Sequence, residues 1–357
     1  RKRLAHDNLR HSDWGMVGWA WAEAQVAWHR LPLDRQGEHA DILNELRDSM
    51  DTAFADWITA RYGALASLPP ISGPVIGHQV PAYLQRHIKA PDKKVALIVM
   101  DGMAMDQWVL LQHLLETASP GYAFQRNAMF AWLPTLTSVS RQALFSGLKP
   151  REFSDTIETT AQESTQWSRF WQDQGLRANE VLYRKGIKRT DQLDDLDAAV
   201  ANPSIQVAGI VVDTVDEIVH GAVLGKRGIA TQITSWCESG FVDRLFALLL
   251  DKGFHVYLTA DHGNVEAVGQ GRPNQGAAPE LRGERVRTYR SETLATESAV
   301  SNANTYRLDI AGLPANFMPL FASGRGAFVQ QGEQVVAHGG ISVEELLVPF
   351  VKVSYVS

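Results

Sequence analysis

The stretch Val95-Ala-Leu-Ile-Val-Met100-Asp101-Gly102 decides the fold. Six consecutive apolar residues have strand length and no polar side, which suits a strand buried on both faces. Two further runs have the same character. Gln206–Val212 leads into Asp213, and Phe254–Thr259 leads into Ala260-Asp261-His262-Gly263. Helical stretches lie between them: Met105–Thr117, a short one at Ser138–Ser146, a polar one at 155–175 carrying Trp167 and Trp171, and a long one at Thr231–Asp251. Tyr122–Leu133 reads as a strand, and Leu346–Val353 as a last strand. Buried strands alternating with helices imply an α/β fold with a mostly parallel central sheet covered on both faces.

Outward from this centre the grammar changes. Residues 1–65 hold Trp14, Trp19, Trp21, Trp28 and Trp57, half of the ten tryptophans. Helices are expected at 13–30 and 35–63, the second repeating Ile42, Leu43, Leu46, Met50, Phe54, Trp57 and Ile58 at helical spacing. Leu68-Pro-Pro-Ile-Ser-Gly-Pro74 breaks the helix as a linker. A short helix around Ala82–His87 and a charged turn at Pro91–Lys94 follow. The expected division is a helical region over 1–75 and a catalytic domain over 76–357. Residues 264–336, rich in Gly, Asn, Gln and Arg, read as an insertion.

Composition narrows the class. Hydrophobic residues are 45% and charged residues 21%, the balance of a globular chain. No run approaches the roughly 18 apolar residues that cross a bilayer, so no membrane partner is expected. The single cysteine, Cys237, excludes a disulfide framework and a cysteine-based zinc site, and fits a reducing cytoplasm. A net charge of −6 argues against a uniformly basic coat for nucleic acid, and leaves room for a local basic patch. Arg1-Lys2-Arg3 without a following apolar stretch is no signal peptide; the sequence is expected to begin inside a longer protein.

Chemistry concentrates in four places. Asp101 follows a wholly apolar strand, at the sheet edge where ligands bind in open α/β sheets. Asp213-Thr-Val-Asp216-Glu-Ile-Val-His220 sets Asp216 and His220 four residues apart, on one side of a helical turn. Asp213 competes with Asp216 as the ligand. Asp261-His262-Gly263 follows a third buried strand. His338-Gly-Gly-Ile-Ser342-Val-Glu-Glu345 joins a histidine in open backbone to a capping box. Carboxylates and imidazoles in this mix suit Zn²⁺ or Mn²⁺, and their number suits two ions. Two ions would clamp the attacking and leaving oxygens of a phosphoryl transfer. Hydroxyls for the attack are offered by Thr135, Thr137, Ser138 and Ser140 near a helix N-terminus, where backbone N–H groups favour phosphate.

In this order the residues resemble the alkaline phosphatase superfamily: a strand ending in Asp, a Thr or Ser, Asp-x-x-x-His, Asp-His-Gly and a late His. The ending His338-Gly-Gly-Ile-Ser-Val-Glu-Glu-Leu-Leu-Val-Pro349-Phe resembles that of the PglZ domain, a branch found in bacterial BREX phage-defence systems and in some response regulators. The resemblance covers about 95–357. It implies a three-layer sandwich and two metals, one held by Asp216, His220 and His338, the other by Asp101, Asp261 and His262 with the nucleophile's oxygen. Pro134-Thr135-Leu136-Thr137 is similar to the diesterase form Pro-Thr-x-Thr, with Gly147 ten residues on, which implies Thr137 as nucleophile over Ser138 and Ser140. Ser138-Val-Ser-Arg141 stands where diesterases carry Phe-Pro-Asn-His, so Arg141 is expected to orient the phosphate. The implied reaction is two in-line displacements through a phosphothreonine. Cys237 lies far from a sulfatase motif, so that activity is not expected.

The resulting expectation is a cytoplasmic, metal-dependent phosphodiesterase or nuclease in phage defence, with nucleic acid or a nucleotide as substrate and other BREX proteins as partners. A phosphomonoesterase or phosphomutase on the same fold, and a scaffold contacted through the N-terminal helices, are the alternatives. Arg272, Arg282, Arg285, Arg287 and Arg290 outnumber Glu280 and Glu284. Arg285 and Arg287 alternate as on one face of a strand and are expected to meet a phosphate backbone.

Overall fold

A computed structural model describes residues 9–88, 94–222, 224–273, 276–277 and 283–356. The expected turn at 91–94 lies outside these except for Lys94. The chain opens with α1 (His11–Arg30), α2 (Leu33–Leu65) and α3 (Val80–Ile88). An alternating α/β segment follows: β1 (Lys94–Met100), α4 (Met105–Ala118), β2 (Tyr122–Phe130), α5 (Thr137–Ser146), α6 (Glu163–Asp173), β3 (Val181–Ile187), α7 (Thr190–Val200), β4 (Val207–Val212), α8 (Thr214–His220), α9 (Gly225–Glu238), α10 (Phe241–Leu250) and β5 (Phe254–Ala260). Residues 264–336 form β6 (Val265–Gly269), β7 (Val286–Tyr289), α11 (Glu292–Ser301), β8 (Thr305–Arg307), β9 (Met318–Ala322), β10 (Gly326–Ala327) and β11 (Gln334–Ala337). The chain closes with α12 (Val343–Leu346) and β12 (Leu347–Tyr355).

The central sheet runs β2-β12-β5-β1-β4-β3, with helices on both faces. β1 pairs in parallel with β4 and β5, and β4 with β3. β12 alone runs antiparallel, between β2 and β5. From Val95 onward β1 is wholly buried, as is β4, which explains their unbroken apolar runs. Register fixes what matters most. Met100 lies opposite Val212 on one side and Ala260 on the other. The next residues, Asp101, Asp213 and Asp261, therefore leave the sheet side by side. The insertion holds two three-stranded sheets, β10-β6-β11 and β7-β9-β8. No helix among the described residues is long and apolar enough to cross a membrane.

Two helix expectations need correction, and two elements were not expected. The helix expected over Thr231–Asp251 is two helices, broken at Ser239-Gly240, where Gly240 takes φ 76°, a conformation only glycine adopts cheaply. The helix expected at 155–175 is α-helical only over Glu163–Asp173, after a 3₁₀ segment at Pro150–Thr156. β3 and α7 went unread because β3 is a partly exposed edge strand with Arg184 and Lys185 inside it.

The N-terminal helices, expected as a separate region, share one hydrophobic core with the sheet. Gly15 and Gly18 let α1 approach closely: a Cβ at Gly15 would stand 3.3 Å from Ala128 Cβ, and one at Gly18 3.2 Å from Leu347 Cδ1. The Phe54 ring meets Trp14 edge-on at 4.8 Å and stacks on Trp57 at 6.2 Å, and Trp57 stacks on Phe130 of β2 at 5.8 Å. Buried charges also cross this layer. Glu344 of α12 pairs with Arg325 at 2.6 Å and accepts the Trp21 Nε1–H at 3.0 Å; Arg325 reaches Asp51 of α2 at 2.7 Å. Lys226 of α9 binds Asp106 of α4 at 2.9 Å. Burial would raise the Glu344 carboxyl, but Arg325 and Lys226 outweigh it and hold the group at about 2.

Because Phe54 is fully buried at this joint, Phe54→Ala is expected to cost about 3–5 kcal/mol in urea unfolding. Tryptophan fluorescence and far-ultraviolet circular dichroism should report one shared transition. Two separated transitions would show that the helical layer folds on its own.

Candidate metal centre

The turn after β1 builds the site. The Asp101 N–H donates to Val212 O at 3.0 Å, and the Gly102 N–H donates to Asp261 Oδ1 at 3.0 Å. Gly102 takes φ 65°. A Cβ there would stand 3.3 Å from Asp216 Oδ1 and 3.6 Å from His262 Cε1, so glycine lets β1, α8 and the loop after β5 crowd together. Asn264 Nδ2 donates to Gly102 O at 2.8 Å, and Gln107 Nε2 donates to Asn264 Oδ1 at 2.9 Å. Sequence reasoning missed both amides, because nothing in their spacing marks a buried support.

Asp101, Asp261 and His262 are buried, with ligand atoms all within 4.8 Å of one another. Asp101 Oδ1 and Asp261 Oδ2 lie buried without a hydrogen-bond partner. Such oxygens are costly to leave unsatisfied. The His262 Nδ1–H donates to Gly263 O at 2.9 Å, which leaves the lone pair on Nε2. Two unsatisfied carboxylate oxygens beside an imidazole lone pair fit a divalent cation of the Zn²⁺ or Mn²⁺ kind. Without one, burial is the largest influence and raises the Asp101 carboxyl, but Arg141, Asp261 and His262 together outweigh it and hold Asp101 below the usual range. Burial and the Asp101 charge push Asp261 well above it. Burial lowers His262.

The other expected ligands are only partly gathered. Asp216 Oδ1 and His220 Nε2 meet at 3.1 Å across one turn of α8, both a quarter exposed. His338 is stacked on His262, ring centroids 4.1 Å apart and planes 18° apart. Its Nδ1–H donates to Thr135 O at 2.9 Å. Among the described residues Asp101, Asp261 and His262 are the one three-residue metal cluster; Asp216, His220 and His338 do not form a second. Asp213 and Asp216 separate by direction. Asp216 faces Gly102, while Asp213 Oδ2 stands 3.9 Å from where a Gly186 Cβ would be, toward β3. Burial, then the charge of Asp101, pushes the Asp213 carboxyl up to about 6.

Thr137 is the first residue of α5, half-buried, its Oγ1 3.0 Å from His262 Nε2. Ser140 is committed elsewhere: its Oγ accepts the Trp132 N–H at 2.8 Å and donates to Trp132 O at 3.3 Å. Thr135 ties the two loops. Its Oγ1 donates to Gly340 O at 2.8 Å and accepts the Gly339 N–H at 3.0 Å. Arg141, expected at the phosphate, is 5% exposed and bound to carboxylates. Its Nη1 pairs with Asp101 Oδ2, and its Nε donates to Glu163 Oε1 at 2.8 Å.

Arg285 and Arg287, expected to meet a phosphate backbone, are instead buried among protein groups. Arg285 is 1% exposed; it donates to Glu345 Oε1 at 2.8 Å, Gly326 O at 2.6 Å and Gly324 O at 2.9 Å. Arg287 lies over the Phe328 ring and donates to Val286 O and Phe328 O, each at 3.0 Å. Their alternation places them on one face, but that face points inward, where guanidinium groups satisfy loop carbonyls. Arg290 pairs with Glu158 at the surface, and Arg282 lies outside the described residues.

A family model described as the BREX system PglZ alkaline phosphatase-like domain matches residues 82–353. Among solved structures the chain is similar to murine ectonucleotide pyrophosphatase / phosphodiesterase 5, with 12% identity over 72% of this chain and 88% of that chain and a TM-score of 0.48. The human counterpart gives 13%, 72%, 87% and 0.47 in the same terms. Phosphonoacetate hydrolase from Sinorhizobium meliloti 1021 gives 12%, 73%, 90% and 0.41. No curated protein matches.

Added Zn²⁺ or Mn²⁺ is expected to raise the melting temperature of chelator-treated protein. At a hundredfold excess over Kd the gain corresponds to about 2.7 kcal/mol. Asp261→Asn should remove it, since the variant loses a buried ligand oxygen. Equal shifts in wild type and variant would place the ion elsewhere.

Proposed function

Because the chain belongs to the PglZ family of BREX-system alkaline phosphatase-like domains, we propose that it is a metal-dependent phosphodiesterase with Thr137 as nucleophile. One observation carries the reading. Thr137 Oγ1 stands 3.0 Å from the nitrogen lone pair of His262, at the edge of a cluster holding two unsatisfied carboxylate oxygens. Asp101, Asp261 and His262 would hold one ion, Zn²⁺ in first place and Mn²⁺ in second. Asp216 and His220 would contribute to a second, with His338 reaching it from beside His262. Divalent cations supply charge stabilisation for the phosphoryl oxygens and acidify bound hydroxyls.

The chain's own residues do the rest. The Thr137 Oγ1 lies 3.0 Å from His262 Nε2, the atom that would hold the ion, so the hydroxyl stands at the edge of the cation's place. In the first displacement Oγ1 bonds to phosphorus as the ester oxygen departs, taking up a proton. In the second, water attacks the phosphothreonine, the Thr137 oxygen leaves and is reprotonated, and a phosphomonoester is released. The tie from Thr135 to Gly339 and Gly340 keeps the His338 loop fixed over the nucleophile. The diester preference rests on Pro134-Thr135-Leu136-Thr137. With Arg285 and Arg287 buried, the case for nucleic acid or a nucleotide rests on that motif and on the proposed role in BREX phage defence.

Bis-p-nitrophenyl phosphate is expected to be hydrolysed faster than p-nitrophenyl phosphate. Thr137→Ala should lower the rate by about 10³-fold or more while metal content by mass spectrometry persists. Ser138→Ala should retain most activity. A faster monoester reaction would move the assignment to a phosphatase or mutase, and an active Thr137→Ala variant would end the nucleophile assignment.

A further inference from the structure

We propose that Arg141 is a positioning residue and not a phosphate contact: it fixes one oxygen of Asp101 so that the other faces Asp261 and His262, and Glu163 and Tyr183 hold Arg141 in turn. The inference rests on the metal-centre reading above and adds residues that no motif marks.

Four elements meet in this chain of contacts. Asp101 ends β1, Arg141 lies on α5, Glu163 opens α6 and Tyr183 sits in β3. Arg141 Nη1 pairs with Asp101 Oδ2, and its Nε donates to Glu163 Oε1 at 2.8 Å. Glu163 is 0% exposed, and its other oxygen accepts the Tyr183 O–H at 2.6 Å. Both Glu163 oxygens are thus committed. The planar guanidinium fork fixes the direction of each carboxylate it binds. Asp101 cannot rotate about Cβ–Cγ without breaking its buried pair with Arg141 Nη1. Its remaining oxygen, Oδ1, is one of the two unpartnered oxygens of the metal cluster, the other being Asp261 Oδ2. A phosphate approaching Arg141 would have to displace carboxylates from a side chain that is 5% exposed. The same geometry explains Glu163: a fully buried acid on a helix otherwise polar on its outer side has no packing value of its own.

The experiment titrates Co²⁺ into the chelator-treated protein, following the visible ligand-field spectrum. Wild type is compared with Glu163→Gln, Arg141→Lys and Tyr183→Phe. Glu163→Gln keeps the shape and removes the charge that holds Arg141. The Co²⁺ Kd should rise about 10–100-fold with an altered spectrum, the usual scale for an outer partner of a metal ligand. Arg141→Lys should act in the same direction. Tyr183→Phe, the mildest change, should give a smaller shift of the same sign, and it decides the question if Glu163→Gln fails to fold. At saturating metal, KM for bis-p-nitrophenyl phosphate should stay near wild type in Glu163→Gln and Arg141→Lys. Unchanged Co²⁺ Kd and spectrum in the folded variants, with KM raised tenfold in Arg141→Lys, would return Arg141 to the phosphate. Unchanged Kd and KM with only a lower melting temperature would reduce the chain of contacts to a structural clamp. Wild type that binds no Co²⁺ would overturn the metal reading itself, an outcome distinct from both.

Discussion

Three carboxylates leave one sheet edge together, and the structure around them answers that crowding. The shared register of β1, β4 and β5 puts Asp101, Asp213 and Asp261 on adjacent strand ends. Two unit charges 4 Å apart at an effective dielectric of 20 repel by about 4 kcal/mol. Countercharge must come from a proton, a guanidinium or a metal ion. Arg141 neutralises Asp101 from one side, and the opposite side of the cluster retains two bare oxygens. The helix carrying Arg141 also carries Thr137 at its first residue, so placing the countercharge also places the hydroxyl.

The loop carrying His338 is gripped from both sides. Thr135 takes Gly339 and Gly340, while Glu345 accepts the Gly340 N–H at 2.7 Å and the Ser342 hydroxyl at 2.6 Å. Ser342 and Glu345 form the capping box expected of that sequence. Arg285 closes the rear of the grip through Glu345. This arginine therefore serves the site from behind, by holding a loop.

Much of this was legible because burial on both faces erases alternation. Val95–Met100 and Val207–Val212 could only be central strands, and an acid directly after such a strand stands at its open end. Asp216 and His220 were legible as a pair because helical spacing alone brings them together. Other features depend on contacts far apart in sequence. Glu163 sits in a polar stretch where a buried acid and a surface acid look alike. Arg285 and Arg287 were read as exposed on one strand face, yet Arg285 precedes β7 and both side chains are buried, since alternation gives a common face without saying which way it points. Ser140 was passed over on the resemblance alone, and its hydrogen bonds to Trp132 supply a physical reason that no spacing carries. The break at Gly240 was masked by apolar residues that continue helical spacing on both sides.

The recognisable family sequence begins at residue 82, yet the packing unit begins earlier. Trimming the chain to the recognisable part would strip Phe54 and Trp57 from Phe130, Trp21 from Glu344 and Asp51 from Arg325. It would leave an apolar sheet face in water and half of an ion network without its partners. Boundaries drawn from sequence similarity and boundaries drawn from shared interior are different lines here. For expression, dissection or transplantation of the catalytic centre, the second line is the one at which to cut.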